Sequence, residues 1–159
     1  MSDLPNRRYA DMTPDYIAKS LTGDWIAVLP LGATEQHGPH LPADTDWIIA
    51  DGVVAKVLQL LPDTMPVTFL PTERVGYSRE HTNRPGVATL TYDGAVSRWI
   101  EIGEQLQAQG IRKFVMLNAH GGNAPLMTIV ATELRARLNM LAVATSWTRF
   151  GLPFNMVTP

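Results

Sequence analysis

The sequence predicts an α/β fold, a three-layer sandwich in which a mostly parallel sheet lies between helices. Three observations predict it. Four apolar runs, at residues 25–31, 66–70, 111–117 and 140–146, read as strands, and the first is continuously apolar, as a strand covered on both faces must be. Segments with apolar residues at helical spacing alternate with these runs. Strand, loop and helix in that order imply parallel strands joined by right-handed crossovers, with helices on both faces. The chain of 159 residues is long enough to bury a real core and reads as one domain over 1–159.

Each element follows from local chemistry. Thr13-Pro14-Asp15 offers a hydroxyl cap, a proline at the first helical position and an acid in the first turn, so a short helix starts there and runs to about residue 21, before Gly23. The first strand then empties into a loop of glycine, proline, glutamate and histidine. Thr45 or Asp44 caps a second helix over 46–61, with Ile49, Val53, Val57 and Leu60 at helical spacing and Pro62 as its end. After the second strand, residues 73–88 carry glycine, proline and charge without a period; a loop that long in a compact domain is functional or disordered. Residues 89–91 read as a short strand. Asp93 caps a third helix, with Ala95, Trp99, Ile102 and Leu106 on one face and Gly110 as its stop. The third strand runs into Asn118-Ala-His-Gly-Gly-Asn123, where Asn123 caps a fourth helix that turns Leu126, Val130, Leu134 and Leu138 inward. The fourth strand follows, and residues 151–159 read as an unstructured end.

Composition excludes several classes of function. A hydrophobic share of 45% against 18% charged residues is that of a globular chain. Lys+Arg 13 against Asp+Glu 15 leaves −2, with no basic stripe for nucleic acid or a membrane surface. The absence of cysteine removes disulfides, thiolate metal sites and a cysteine nucleophile, and fits a cytoplasmic protein. The first residues lack an apolar signal core, and no apolar run approaches ~18 residues, so neither signal peptide nor membrane span is expected. There is no glycine-rich phosphate loop, which counts against a nucleotide-binding α/β domain, and no Gly-x-Ser-x-Gly elbow.

The chemistry concentrates in residues 29–46. Glu35, His37, His40, Asp44 and Asp46 crowd into twelve positions. Charged carboxylates and imidazoles this close repel and are hard to order. A divalent ion offsets that, because it takes deprotonated carboxylate and neutral imidazole as ligands. Glu35 and His37, two apart, point the same way from an extended segment. Asp46 adds a carboxylate near a helix start that can bridge two ions. His120 lies between a strand end and Gly121-Gly122, where small residues permit close approach. In a parallel sheet the loops after the strands' carboxyl ends share one rim. That rim would gather Glu35, His37, Ser78, His81 and His120. Two ions about 3.5 Å apart would polarise a carbonyl and generate hydroxide at neutral pH. Ser78 and His81 are the catalytic candidates, and Glu35, His37, Asp46 and His120 the metal candidates.

Plainer readings stand beside these. Glu35 and His37 can be solvated loop side chains, and Asp46 a first-turn acid. His120 can donate to a backbone carbonyl and fix its turn. Ser78 and His81 can simply hold the long loop together. His40 and Asp44 are loop or cap residues, and Trp47 and Trp147 packing.

Taken together, Gly32-Ala-Thr-Glu-Gln-His-Gly-Pro-His-Leu-Pro42, Thr45-Asp46, the Ser78, His81 and Pro85-Gly86 loop, and Asn118-Ala-His-Gly-Gly-Asn123 resemble the creatininase (creatinine amidohydrolase) family over about residues 12–147. The resemblance implies a three-layer α/β fold and two divalent ions, commonly zinc, manganese or iron. It implies hydrolysis of amide-type C–N bonds in small or cyclic amides through a metal-bound hydroxide, and assembly as homo-oligomers, often hexamers. It makes Glu35, His37, Asp46 and His120 the ligands, with Asp46 bridging. True creatininases carry a glutamate two residues after the third-strand histidine. Gly122 stands there, which counts against creatinine as substrate and leaves one ion short of a carboxylate. Relatives of the His-Gly-Gly-Asn form take that ligand from a later segment, absent here, so the chain reads as the first two-thirds of a member. Two expectations result: a metal-dependent amidohydrolase, or a truncated, non-catalytic family fold serving as a binding or oligomerisation module.

Overall fold

The computed structural model describes residues 3–151, so the expected unstructured end falls outside them from residue 152 onward. The elements are α1 (Pro14–Lys19), β1 (Ile26–Leu31), α2 (Thr45–Leu60), β2 (Val67–Phe69), α3 (Tyr92–Ala108), β3 (Lys113–Asn118), α4 (Ala124–Leu138) and β4 (Leu141–Ser146). The four strands form one sheet in the order β2-β1-β3-β4, all parallel. One face carries the larger core, where Trp25, Leu29, Phe114 and Met116 meet Trp99 and Leu106 of α3 and Val130 and Leu134 of α4. The other face carries a smaller core, where Val28, Val67 and Phe69 meet Val54, Val57 and Leu58 of α2. The expected three layers are present.

From β1 the chain moves outward to β2, then returns across β1 to β3 on its far side. The strand order therefore reverses between β1 and β3. In open α/β sheets the crevice at the carboxyl ends of two such strands is where ligands bind. Register makes this concrete. Leu31 lies beside Asn118, and the Ala119 amide donates to the Leu31 carbonyl at 2.8 Å. The loops leaving β1 and β3 thus start side by side.

Pro30 sits in this central strand, where a proline normally forfeits a ladder bond. Its carbonyl accepts from the Glu73 amide at 2.9 Å, so its missing N–H faces the same side, beyond the last residue of β2. No ladder bond is lost there.

Several expectations are corrected. The second helix buries Asp46 and Ala50 and packs Val54, Val57, Leu58 and Leu61 inward, leaving Leu60 71% exposed. Apolar residues occur on more than one side of this helix, so periodicity alone did not select its face; Leu60, at the helix end, lies outside the stripe that Val54, Val57, Leu58 and Leu61 pack inward. Residues 89–91 form no strand. Ala88 makes a single antiparallel bridge to Thr34, and the Leu90 amide donates to Gly76 at 2.9 Å. The third helix is capped by Thr91, whose hydroxyl accepts from the Gly94 amide at 3.1 Å, while Asp93 lies in the first turn. Asn123 occupies the cap position of α4, but its side chain makes no cap bond.

The Thr91 cap gives a stability test. Thr91→Ala should destabilise the fold by about 0.5–2 kcal/mol in urea unfolding. Asp93→Ala removes only a helix-dipole contact and should cost less. Equal losses would show that the cap had been misassigned.

Candidate metal centre

Three chain segments converge on the crevice. Glu35 follows β1, and its amide donates to the Ala43 carbonyl at 2.9 Å, folding the loop back toward α2. Gly32 lets that helix approach. A Cβ there would lie 2.6 Å from the Trp47 Cα, so only glycine allows the start of α2 to touch the loop. Asp46, in the first turn of α2, arrives beside Glu35 at a helix end that favours negative charge. His120 comes from the loop after β3. Glu35, Asp46 and His120 are buried, and each offers a ligand atom within 4.8 Å of the other two.

The nitrogens decide what the cluster can hold. His120 Nε2 lies 2.9 Å from the Tyr77 carbonyl and His37 Nδ1 lies 3.1 Å from the Glu35 carbonyl. A carbonyl only accepts, so each of these nitrogens carries its ring's proton. The other nitrogen of each neutral ring is then bare, and both bare nitrogens face carboxylates. His120 Nδ1 is 2.9 Å from Asp46 Oδ2 and 3.3 Å from Glu35 Oε1. His37 Nε2 is 3.0 Å from Asp46 Oδ1 and 3.9 Å from Glu35 Oε1. Asp46 Oδ2 is buried and, with the ring neutral, accepts no hydrogen bond despite that 2.9 Å contact. Lone pairs so arranged repel unless a positive centre lies among them.

A proton can be that centre. Burial pushes the His120 imidazole down, but hydrogen bonds to Asp46 and the Tyr77 carbonyl, with the charges of Glu35 and Asp46, outweigh it and raise its pKa above 6.5. In the metal-free protein this contribution to stability is complete below the unfolded value and disappears as pH rises through the raised one. The donor set of one imidazole and two carboxylates also fits a divalent cation, and fits it without protons. The plainer reading of His120, as donor to a backbone carbonyl, holds and is compatible with a ligand role, because the two would use different nitrogens.

The long loop after β2 closes the cluster from the other side. Ser78 is fully buried and its hydroxyl donates to Glu35 Oε2. His81 Nε2 is 3.8 Å from the same oxygen, too far for a hydrogen bond. Its Nδ1 lies 3.4 Å from the Gln36 amide nitrogen. That nitrogen donates, so Nδ1 is the bare atom of His81 and Nε2 carries the proton, facing the site. His40 is exposed and Asp44 stands at the cap position of α2, both apart from the cluster. Trp47 lies under the Arg74 guanidinium, 4.2 Å from its ring centroid, as packing. A cavity of about 650 Å³ between α1 and the end of α3 contains none of these groups.

A family model described as creatinine amidohydrolase matches residues 10–157. The chain belongs to the creatininase family. It is 36% identical over 115 residues to a mycofactocin precursor peptide peptidase of Mycobacterium tuberculosis, covering 69% of this chain and 45% of that protein. It is 30% identical over 110 residues to a 2-amino-5-formylamino-6-ribosylaminopyrimidin-4(3H)-one 5'-monophosphate deformylase of Methanococcus maripaludis, again covering 69% and 45%. Among solved structures it resembles a creatininase in an Mn form, with TM-score 0.76, 24% identity and coverage of 92% of this chain and 60% of the other. A mutant creatininase of the Zn-Zn type gives TM-score 0.77 at 23% identity, covering 95% and 62%. This creatininase-family chain thus spans less than half the length of these curated relatives.

Gly122 now has a physical reason. A Cβ there would fall 2.3 Å from the Tyr77 carbonyl oxygen and 2.6 Å from His120 Nε2, on the hydrogen bond that orients the imidazole. A residue with a side chain at 122 is incompatible with that bond as it stands. Sequence reading missed two further contributors. Asn118 brackets His120, accepting from its amide at 3.1 Å and donating to its carbonyl at 2.5 Å. Asn123 is wholly buried and bonded across three loops. Their only signal was an asparagine on each side of His-Gly-Gly.

Gly122→Ala should lower stability by about 1–3 kcal/mol through overpacking and weaken metal binding. Gly121→Ala, where a Cβ would meet nothing within 4 Å, should be close to neutral. Thermal melts of the two variants with and without Zn²⁺ check this. Equal behaviour would refute the steric account.

Proposed function

We propose that this chain carries the metal centre of a hydrolase that cleaves the C–N bond of a small polar or cyclic amide. Glu35, Asp46 and His120 would hold one divalent ion. His37, beside Asp46, would help to hold a second. The observation that supports this reading is the pair of imidazoles whose N–H groups are taken by backbone carbonyls while their bare nitrogens face two carboxylates. Asp46 offers Oδ2 to His120 and Oδ1 to His37, as a bridging carboxylate would. The relatives support the reaction class, since a peptidase and a deformylase both cleave C–N bonds. The Mn and Zn-Zn forms of solved creatininases make those the first metals to test.

When bound, a divalent ion supplies Lewis acidity toward a carbonyl and makes water a nucleophile at neutral pH. The chain's own groups do the rest. Ser78 binds one oxygen of Glu35, which keeps the other turned to His120; it acts as a positioning residue rather than on the substrate. His81 presents its Nε2 proton at the edge of the cluster, half-exposed, where it can pass that proton to a departing nitrogen. Assembly as a homo-oligomer, a hexamer by resemblance to relatives, belongs to the same reading and is checked by light scattering.

A second reading, a non-catalytic binding module, is favoured by one feature. Among the described residues the second ion would have only His37 and Asp46 as protein ligands.

Glu35→Gln and His120→Ala should both lose bound metal in elemental analysis, and full occupancy in both would refute the ligand assignment. His81→Gln should keep its metal and lower kcat for an amide substrate by about 10²–10⁴. Ser78→Ala should weaken metal binding about 10–100-fold. A metal-loaded protein inert toward formamides, cyclic amides and peptide ends would favour the binding module.

A further inference from the structure

We infer that Asn123 is a positioning residue that selects which nitrogen His120 presents to the metal; the inference rests on the metal-site reading above. The Asn123 side chain is wholly buried, and both its polar atoms are engaged. Its Oδ1 accepts from the Tyr77 amide at 2.9 Å. Its Nδ2 donates to the Gly32 carbonyl at 3.0 Å and to Asn118 Oδ1 at 3.1 Å. One amide group therefore ties together the loops that leave β1, β2 and β3. Two of these partners hold His120 directly. The Tyr77 carbonyl takes the Nε2 proton at 2.9 Å, and Asn118 Oδ1 accepts from the His120 amide at 3.1 Å.

The consequence concerns the tautomer. A neutral histidine is a ligand only through its unprotonated nitrogen, and the hydrogen bond at the other nitrogen fixes which one that is. Only with the proton on Nε2 does Nδ1 stand bare beside Glu35 and Asp46. The Tyr77 carbonyl enforces that choice, so whatever holds Tyr77 holds the tautomer. Asn123 pins the amide before Tyr77. Thr89 Oγ1 pins the peptide after it, accepting from the Ser78 amide at 2.9 Å. Gly76 confirms how tightly this is built: a Cβ there would lie 2.6 Å from Asn123 Oδ1 and 2.5 Å from the Gly32 carbonyl oxygen. The asparagine is thus set by a pocket with no room for a larger neighbour. Its use across three loops also explains why it provides no cap to α4.

The test is ¹⁵N NMR of the imidazoles in metal-free protein, in alkaline buffer, together with Zn²⁺ titration by calorimetry. In the unsubstituted chain His120 should be the Nε2–H tautomer. Asn123→Ala should give a mixture of tautomers and a Kd for Zn²⁺ raised about 10–100-fold. Should Asn123→Ala fail to fold, Thr89→Val removes the other anchor of Tyr77, along with a hydrogen bond to the adjacent Leu90 carbonyl, and should shift the tautomer in the same direction. A folded variant that keeps a pure Nε2–H tautomer and unchanged Zn²⁺ affinity would overturn the inference. If zinc binds as described but no amide is hydrolysed, the hydrolase reading fails while this inference stands.

Discussion

Two backbone carbonyls govern this site. Those of Tyr77 and Glu35 take the single N–H of His120 and of His37, leaving each ring with a lone pair aimed at a carboxylate. A buried acceptor without a donor costs about 1–3 kcal/mol, and with the rings neutral Asp46 Oδ2 is such an acceptor. A proton relieves it partly, as the raised pKa of His120 records. A divalent cation held by Glu35, Asp46 and His120 would relieve it without a proton. The rest of the rim, from the buried serine on Glu35 to the asparagine across three loops, serves to keep these atoms facing one another.

The sheet makes that arrangement possible. Because β1 lies between β2 and β3, the loops that follow Leu31, Phe69 and Asn118, far apart in sequence, start on neighbouring strands. Glycine then closes the distances. Gly32 admits α2 against the first loop, Gly76 admits Asn123, and Gly122 leaves the His120 hydrogen bond intact. None of the three needs an unusual φ, since the positive-φ glycines are elsewhere. Their shared role is close approach of backbone to backbone.

Much of the fold was legible in the sequence because it follows local periodicity. The continuous apolar run of β1, the Thr13-Pro14 start of α1 and the strand–helix alternation each report burial or capping within a few residues. What misled was also local. Asp93 has the composition of a cap but Thr91 has the geometry. Leu60 fits the period of α2 yet faces solvent, because the end of that helix packs through Val57, Leu58 and Leu61 instead. Asn123 stands where a cap belongs, but its amide finds better partners across the crevice.

The sequence by itself determined the class of fold, the order of elements and the residue types available to a metal, since these depend on side-chain chemistry and spacing along one chain. It also carried the family resemblance in its Glu-x-His and His-Gly-Gly-Asn blocks. Only the tertiary structure decided which nitrogen of each histidine is free, which carboxylate oxygen each one faces, and that Asn123 belongs to the site. Those are properties of hydrogen-bond direction between segments as far apart as Gly32 and Asn123. Direction across a crevice is fixed by how strands and helices pack, and no pattern within a single segment encodes it.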